Sequence, residues 1–371
     1  MTRIVWVTSV ICTVGCGGSA ATGEPARPAK AVDSAADSIS RLENSGFDAI
    51  QAGDWSTAKE AFAEMRRIDP RNANAISNHG IALEHLGELD TARAAHAEAK
   101  RLEPENPEFV LAEARVTARS GDRARALVLV EEGLDRSPDH VGLGLLSASL
   151  LLESGRPELA VASAQRVLLR APSTHRAVAL LARGYIDLDQ PMRAATVLRA
   201  ALAEAPDQAS LRVELGRVLE IRGDTIEALG QFERAVQIDD TYASGWTNIG
   251  ALALRYHDYT KALDAYRRAL ESGASACEAW AGLGYAHEGL SQGELAIENL
   301  EQALKRCPAD TELLYGLGTV AMTQLGDQER ALGYFERYVK ARPELASDHP
   351  VRMTIRALRA NRENEEPEES H

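Results

Sequence analysis

An alanine recurs along most of this chain at a nearly constant interval. Eight copies are spaced 34 residues apart, and a ninth follows after 35: Ala58, Ala92, Ala126, Ala160, Ala194, Ala228, Ala262, Ala296 and Ala331. A proline keeps almost the same period at Pro70, Pro104, Pro138, Pro172, Pro206, Pro308 and Pro343. A fixed period of 20–50 residues is typical of repeat proteins, in which each unit packs on its neighbours. The register predicts nine repeats over residues 39–345.

A small residue also recurs in the first half of each repeat. Its positions are Gly46, Gly80, Ala114, Ala148, Ala182, Gly216, Gly250, Gly284 and Gly318. A glycine inside a helix costs about 1 kcal/mol relative to alanine. Its recurrence at one phase therefore needs a packing reason. We expect that a larger side chain there would hold neighbouring helices apart.

The clearest repeat runs from Cys277 to Asp310 and predicts two helices. One apolar face is formed in its first half by residues at helical spacing, namely Trp280, Leu283, Gly284 and His287. The second half has the same pattern at Ala296, Leu300, Ala303 and Leu304. Gly289 and Gly293 lie between the halves, and Pro308 ends the second because proline cannot continue a helix. Each repeat is thus predicted to be an antiparallel helix pair.

The pattern Trp280-x2-Leu283-Gly284, Ala296-x3-Leu300 and Pro308 resembles the tetratricopeptide repeat, a helix–turn–helix unit of 34 residues. The resemblance implies an all-α fold, a right-handed α-solenoid of about nine repeats; the C-terminal capping helix expected after it is predicted below from its own apolar stripe. It also implies a protein-binding function. In this family the first helices line a concave face that holds peptide partners.

The first 16 residues have the pattern of a signal peptide. Arg3 precedes an apolar run over residues 4–14, which is shorter than the roughly 20 residues needed to span a bilayer. Val14-Gly15-Cys16 resembles a bacterial lipobox, although Thr13 departs from its usual leucine, valine or isoleucine. The resemblance implies lipidation of Cys16 and, since Gly17 follows, an outer-membrane lipoprotein facing the periplasm. The alternative is cleavage after Ala20 or Ala21, loss of Cys16 and a secreted periplasmic protein.

Three further segments have simple expected roles. Residues 17–38 are small, polar and proline-bearing, and predict a flexible tether. Residues 346–362 predict a capping helix, because Val351, Ile355 and Leu358 form one apolar stripe that suits the exposed face of the last repeat. Residues 363–371 form an acidic tail, which we expect to be disordered.

The cysteines suggest a structural disulfide, and the histidines do not suggest a metal centre. With Cys16 acylated, Cys277 and Cys307 remain as a pair at matching ends of antiparallel helices, which favours a structural disulfide. His79 and His96 occupy facing seam positions in the second repeat. A zinc site needs three or four ligands, and no other ligand is expected nearby. We interpret the two histidines as a tolerated polar defect.

The repeats leave no room for a catalytic domain. They occupy residues 39–345 with a single one-residue slip, and we find no supported catalytic residues or phosphate-binding loop. The net charge of −14 argues against nucleic acid as a partner. We expect no enzyme activity, no cofactor and no small-molecule substrate.

The resemblance places a set of candidate partner-binding residues on the concave face. They are Arg115, Arg119, Arg183, Arg217, Tyr285 and Tyr315. A basic region in an acidic protein suits a partner with an acidic, extended segment. The alternative is that these arginines pair with neighbours such as Asp187, Glu214 and Glu220.

Two functions follow from the resemblance and the signal-like segment. The first is a membrane-anchored scaffold of the bacterial cell envelope that organises a multiprotein assembly, such as pilus or secretion, motility or cell-wall machinery. The second is a periplasmic adaptor that recruits an enzyme, such as a peptidoglycan hydrolase, to its partner. Both require protein partners, and the first also requires the membrane through the lipid on Cys16.

Overall fold

Residues 35–365 are described by the computed structural model. Within that range the chain forms 19 α-helices and no strand. In order they are α1 (Ala35–Ala52), α2 (Trp55–Ile68), α3 (Ala73–His85), α4 (Leu89–Leu102), α5 (Pro107–Arg119), α6 (Arg123–Arg136), α7 (Val141–Glu153), α8 (Pro157–Arg170), α9 (His175–Asp187), α10 (Pro191–Glu204), α11 (Ala209–Arg222), α12 (Thr225–Ile238), α13 (Ala243–Arg255), α14 (Tyr259–Glu271), α15 (Ala276–Gly289), α16 (Gly293–Arg306), α17 (Thr311–Thr323), α18 (Gln328–Ala341) and α19 (Pro350–Glu365).

The first 18 helices pair consecutively into nine repeats, from repeat 1 (α1 and α2) to repeat 9 (α17 and α18). Each helix packs mainly on the helices before and after it in the chain, so the predicted all-α solenoid is confirmed. First helices of successive repeats also contact one another, as α7 contacts α9 and α13 contacts α15. Second helices of successive repeats do not approach to the same extent within residues 35–365. The stack therefore curves with the first helices on its inner side, which is the concave face.

The recurring alanine lies on the second helix of every repeat. All nine copies, from Ala58 to Ala331, have no solvent-exposed surface. Protein interiors are close-packed, so a longer side chain here would have to displace a neighbouring helix. The 34-residue period is thus a packing requirement repeated nine times.

The mid-helix glycines also have the predicted packing reason. A Cβ atom added to Gly46 would lie 2.6 Å from the ring of Phe62, on the second helix of the same repeat. The same relation joins Gly284 to Leu300 and Gly318 to Phe335. The glycine in the first helix thus makes space for one bulky side chain from the second.

One residue in each turn between paired helices adopts a left-handed backbone conformation. These residues follow the repeat period: Gly53, Gly87, Gly121, Gly155, Asp189, Gly223, His257, Ser291 and Gly326. Side chains other than glycine are disfavoured at positive φ. Repeats 5, 7 and 8 therefore carry local backbone strain that the other repeats avoid.

Both ends of the predicted solenoid need correction. Helix α1 begins at Ala35, inside the segment 17–38 that was predicted to be a flexible tether. Helix α19 begins at Pro350 and continues to Glu365, beyond the predicted end of the capping helix at 362 and into the predicted disordered tail. No glycine or proline interrupts the chain between residues 351 and 366, so the helix can continue. The predicted signal peptide, Cys16, the rest of the tether and the tail beyond 365 lie outside the described residues.

The face of α19 that packs on the solenoid is the predicted apolar stripe. Val351, Ile355 and Leu358 are buried in one cluster with side chains of α17 and α18. They cover the apolar surface that the ninth repeat would otherwise expose. No helix within residues 35–365 is both long and apolar enough to cross a membrane.

Candidate functional site

A buried carboxylate organises the concave face at repeats 2 and 3. Glu84, near the end of α3, has only 3% of its side chain exposed. Its carboxylate accepts hydrogen bonds from His96 Nε2 on α4 at 2.9 Å, from Arg115 on α5 at 3.3 Å and from Arg119 on α5 at 2.8 Å. Arg119 also donates to the backbone carbonyl of Glu84 at 3.3 Å. One side chain thereby joins three helices.

His96 is part of this network, which corrects the interpretation of a polar defect. Its ring is fully buried, and the Ser77 hydroxyl lies 3.2 Å from Nδ1 while Nε2 faces Glu84. The sequence argument found no group that converges on His96, although its partners Ser77 and Glu84 both lie on α3 of the same repeat. His79, by contrast, has a buried Nδ1 with no hydrogen-bond partner in the described part of the chain.

Glu84 is ionised at neutral pH. Burial alone would raise the pKa of its carboxyl group, but the hydrogen bond from His96 and the positive charge of Arg115 hold that pKa below its usual value. One negative charge therefore faces two arginines, which leaves this cluster with a net positive charge. The side chains of Arg115 and Arg119 are each 48% exposed. Their outer N–H groups are available to a partner.

An aromatic pair lies beside the two arginines. The Trp55 ring, at the start of α2, stacks on the His85 ring with centroids 3.5 Å apart and planes within 2°. Burial lowers the pKa of His85; Glu84 opposes this shift, and the positive charges of Arg119 and Arg115 add to it. The imidazole is therefore neutral at pH 7. Trp55, His85 and Glu84 were missed by the sequence analysis, which considered each repeat separately.

The other two predicted arginines have different surroundings. Arg183 on α9 is exposed and makes no hydrogen bond or ion pair with any side chain in residues 35–365. Arg217 on α11 is 54% exposed and pairs with Glu214, one turn earlier, at 3.3 Å. Of the proposed alternative partners, Glu220 instead binds Arg255 at 2.8 Å. The arginines lie on first helices, on the inner side of the stack.

The two predicted tyrosines belong to a separate, acidic region at the C-terminal end. Burial, together with the charges of Asp310, Glu288 and Glu312, raises the pKa of Tyr285 to about 12. Tyr315 is 43% exposed and packs its ring against Tyr338, with centroids 5.6 Å apart. No contact among the described residues joins either tyrosine to Arg115 or Arg119. Both tyrosines lie on first helices, α15 and α17, five to six repeats further along the solenoid than Arg115 and Arg119. Their part in a partner-binding groove stays a prediction.

The open end of repeat 8 holds the two cysteines. Cys277 lies in the first turn of α15, and Cys307 directly follows α16. Their Cα atoms are 5.9 Å apart, and the structure joins their sulfur atoms. This separation is typical of disulfides. The bond ties together the ends of α15 and α16 that lie away from their connecting turn.

Two family models described as tetratricopeptide repeat match most of the described chain. One matches residues 46–107, 179–243, 247–298 and 289–346, and the other matches residues 118–184. The chain belongs to the tetratricopeptide repeat family. Proteins of this family bind protein partners and are typically non-catalytic scaffolds.

Solved structures support the same fold. A tetratricopeptide repeat protein from Parabacteroides merdae has a TM-score of 0.58 at 17% identity, over 67% of this chain and 98% of that one. A chain of the APC/C hetero-tetramer Cut9–Hcn1 has a TM-score of 0.55 at 14% identity, over 89% of this chain and 64% of that one. Likeness at these identities concerns the fold alone.

Curated relatives match shorter stretches. Protein bimA of Emericella nidulans is 31% identical over 100 residues, which are 27% of this chain and 12% of that protein. Tetratricopeptide repeat protein 8 of Caenorhabditis elegans is 26% identical over 154 residues, which are 40% of this chain and 30% of that protein. The chain thus spans less than a third of the length of either relative.

Proposed function

We propose that this tetratricopeptide repeat protein is a scaffold that captures an acidic, extended segment of a partner protein on its concave face. The observation that carries this proposal is the pair of half-exposed arginines, Arg115 and Arg119, held by the buried Glu84. Glu84 already restrains both guanidinium groups. The two arginine side chains therefore lose little further entropy when a partner carboxylate binds them. Hydrogen bonds from guanidinium to carboxylate are charge-assisted and directional.

The rest of the chain favours selectivity at this site. The protein carries a net charge of −14, so most of its surface repels an acidic segment. Arg183 and Arg217, on first helices of later repeats, extend the positive character along the inner side. An extended segment that starts at Arg115 and Arg119 meets further cations as it follows the groove.

The test uses a fluorescent glutamate-rich peptide and the full chain. Replacing Arg115, Arg183 and Arg217 by glutamine should weaken binding at least about tenfold, because each arginine is a charge-assisted donor. Raising the salt concentration should weaken wild-type binding, since exposed charges are screened over about 8 Å at physiological ionic strength. Helicity measured by circular dichroism should not change.

A matched variant separates local charge from net charge. Arg101, Arg234 and Arg267 lie exposed on the second helices α4, α12 and α14. Their replacement by glutamine removes the same number of charges and should leave the affinity unchanged. The proposal would be contradicted if the variant with glutamine at Arg115, Arg183 and Arg217 bound the peptide as tightly as the wild type. That result would direct attention to the convex face.

We further propose that the scaffold is anchored in the bacterial cell envelope through a lipid on Cys16. The Val14-Gly15-Cys16 pattern supports this, and so does the joined pair Cys277 and Cys307, because disulfides persist in oxidising compartments. Mass spectrometry of the mature N-terminus should find an acylated Cys16. An unmodified start near Ala21 or Thr22 would instead indicate a secreted periplasmic protein.

The role of the scaffold within the envelope is tested by co-purification from membranes. Recovery of pilus, secretion or motility subunits supports a scaffold that organises a multiprotein assembly. Recovery of a peptidoglycan hydrolase supports the alternative role, in which the protein recruits an enzyme. Loss of the recovered partner in the Arg115, Arg183 and Arg217 variant would connect it to the concave face.

A further inference from the structure

Three repeats carry a glutamate at the same position near the end of their first helix. They are Glu84 in α3, Glu220 in α11 and Glu288 in α15, which are separated by multiples of the 34-residue period. Each repeat of a solenoid packs only on its neighbours, so equivalent positions have similar surroundings. The contacts of the three glutamates can therefore be compared directly.

Two of these glutamates bind an arginine of the following repeat. Arg119 donates a hydrogen bond to the carboxylate of Glu84 at 2.8 Å. Arg255 donates one to the carboxylate of Glu220 at 2.8 Å. Each arginine lies 35 residues after its glutamate and is the last residue of the following first helix. This position of the repeat thus holds a carboxylate where a guanidinium group reaches it from the next first helix.

The third glutamate, Glu288, has a different neighbour at that place. The last residue of the following first helix, α17, is Thr323, and Thr319 occupies the place that corresponds to Arg115 in repeat 3. Both threonine hydroxyls donate to backbone carbonyls of their own helix, at 3.0 Å from Thr319 and 2.8 Å from Thr323. Burial raises the pKa of Glu288, and no cation among the described residues opposes that shift. Glu288 therefore has the position of Glu84 without the arginine.

The surroundings of Glu288 on the concave face are acidic. Helices α15 and α17 contain no lysine or arginine. Tyr285 lies one turn before Glu288, and burial together with nearby carboxylates raises its pKa to about 12. Apart from Glu288, these carboxylates are Asp310, which caps α17, and Glu312, which pairs with Arg342 at 2.9 Å. Glu288 is the carboxylate of this group that makes no ion pair or side-chain hydrogen bond within the described part of the chain.

A cation that reaches Glu288 has a second favourable contact. Glu288 is only half-buried, so its carboxylate is accessible from the concave face. Residues three apart on a helix are neighbours on its surface, which places the Tyr285 ring beside the Glu288 carboxylate. Cations are attracted to the faces of aromatic rings. A guanidinium group at this place can therefore bind the carboxylate and contact the ring.

We propose that Glu288 binds an arginine side chain of a partner protein that lies on the concave face. The guanidinium group of the partner takes the place that an arginine of the following repeat occupies beside Glu84 and beside Glu220. Arginine suits this place because its planar N–H groups bind carboxylates with two parallel hydrogen bonds. The site lies five repeats beyond Arg115 and Arg119, so it does not depend on the binding of an acidic segment there.

The test is a titration of the full chain with a short labelled peptide in which arginines alternate with glycine and serine. A second peptide carries citrulline, an uncharged analogue of arginine, at the same places. Fluorescence anisotropy should show saturable binding of the arginine peptide and at least about tenfold weaker binding of the citrulline peptide. Absence of binding, or equal binding of both peptides, would overturn the proposal.

Three variants of the protein locate the site, and each makes the net charge more positive by one unit. Glu288→Gln removes the charge of the carboxylate, and Thr323→Arg supplies an arginine from the chain itself, as Arg119 does beside Glu84. Both changes should weaken binding of the arginine peptide at least about tenfold. Glu298→Gln is the matched control, because Glu298 lies exposed on the second helix α16, and it should leave the affinity unchanged.

The outcomes separate a specific site from general attraction to an acidic protein. Unchanged affinity in Glu288→Gln or in Thr323→Arg would overturn the proposal, and so would an equal loss in Glu298→Gln. The fold should be kept in Thr323→Arg, since Arg255 occupies the equivalent position in repeat 7, and circular dichroism measures this. Glu288→Gln should not weaken binding of the glutamate-rich peptide, so failure of one proposal is distinguished from failure of the other.

Discussion

Glu84 is a charged residue whose burial costs free energy, because its carboxylate loses contact with water. A buried carboxylate is tolerated only when donors replace the water that it loses. His96, Arg115 and Arg119 supply those donors from two other helices. The same contacts fix the arginines that we propose to bind a partner, so the stability of repeats 2 and 3 and their binding function depend on one side chain.

The depressed pKa of Glu84 predicts a pH dependence of stability. A carboxyl group whose pKa is lower in the folded state stabilises the fold above its unfolded pKa, near 4.3, and loses that contribution as the pH falls through the folded pKa. Glu84→Gln should cost about 1–3 kcal/mol at pH 7, where it removes charged hydrogen bonds. The cost should shrink well below pH 4. Urea unfolding at both pH values measures it, and a difference that does not vary with pH would contradict the prediction.

Ser291 is a second residue with a local cost, because it adopts φ = 58° in the turn of repeat 8. Glycine reaches this conformation without a clash of its Cβ atom. Ser291→Gly should therefore stabilise the protein by up to about 1 kcal/mol. Gly223→Ala is the opposite change and should destabilise the protein. At Gly223 φ is 83° and no atom lies within 4 Å of the added Cβ, so the loss would come from backbone strain alone. Chemical unfolding should move in opposite directions for the two variants.

At the scale of elements, the paired helices α15 and α16 carry the Cys277–Cys307 bond. Closing a loop of this size stabilises by about 3.5 kcal/mol on the chain-entropy model. Reduction should increase hydrogen exchange mainly in α15, α16 and their neighbours. The variant with serine at both positions should not respond to reductant. Labelling of both thiols in native, unreduced protein would show that the bond is absent.

Helix α19 protects the last repeat from solvent. Ile355 is 7% exposed, among side chains of α17 and α18. Ile355→Ala should cost about 2–3 kcal/mol, through the lost burial and the cavity left behind. Met353 lies on the same helix but is 59% exposed, so Met353→Ala should have little effect. Thermal unfolding and hydrogen exchange in α17 to α19 compare the two, and equal losses would contradict a capping role.

At the scale of the whole molecule, each helix contacts only helices near it in the chain. The stability of a solenoid is therefore close to a sum of local terms. Phe62 in repeat 1 and Phe335 in repeat 9 fill equivalent positions and are almost fully buried. Alanine at either position should cost about 3–5 kcal/mol. Hydrogen exchange should rise only at the end of the solenoid that carries the change; loss of protection at both ends would indicate one cooperative unit.

The sequence predicted those features that repeat. Three features were predicted in this way: the period of the alanines, the glycines opposite bulky residues and the apolar stripe of α19. Each arises from contacts within one repeat or between neighbours, and such contacts produce a regular pattern in the sequence. Trp55 belongs to no such pattern, because it occurs once, and Glu84 belongs only to a weak one. One signal was available: Glu84 precedes Arg119 by 35 residues, and Glu220 precedes Arg255 by the same interval.

The sequence by itself determined that this chain is a stack of helix pairs, because a 34-residue apolar pattern can be buried only by packing each pair on the next. The tertiary structure decided which side chains meet between repeats. That outcome depends on the small shift and rotation from one repeat to the next, which no single repeat encodes. The shift brings Arg115 and Arg119 onto Glu84 and leaves Tyr285 among carboxylates.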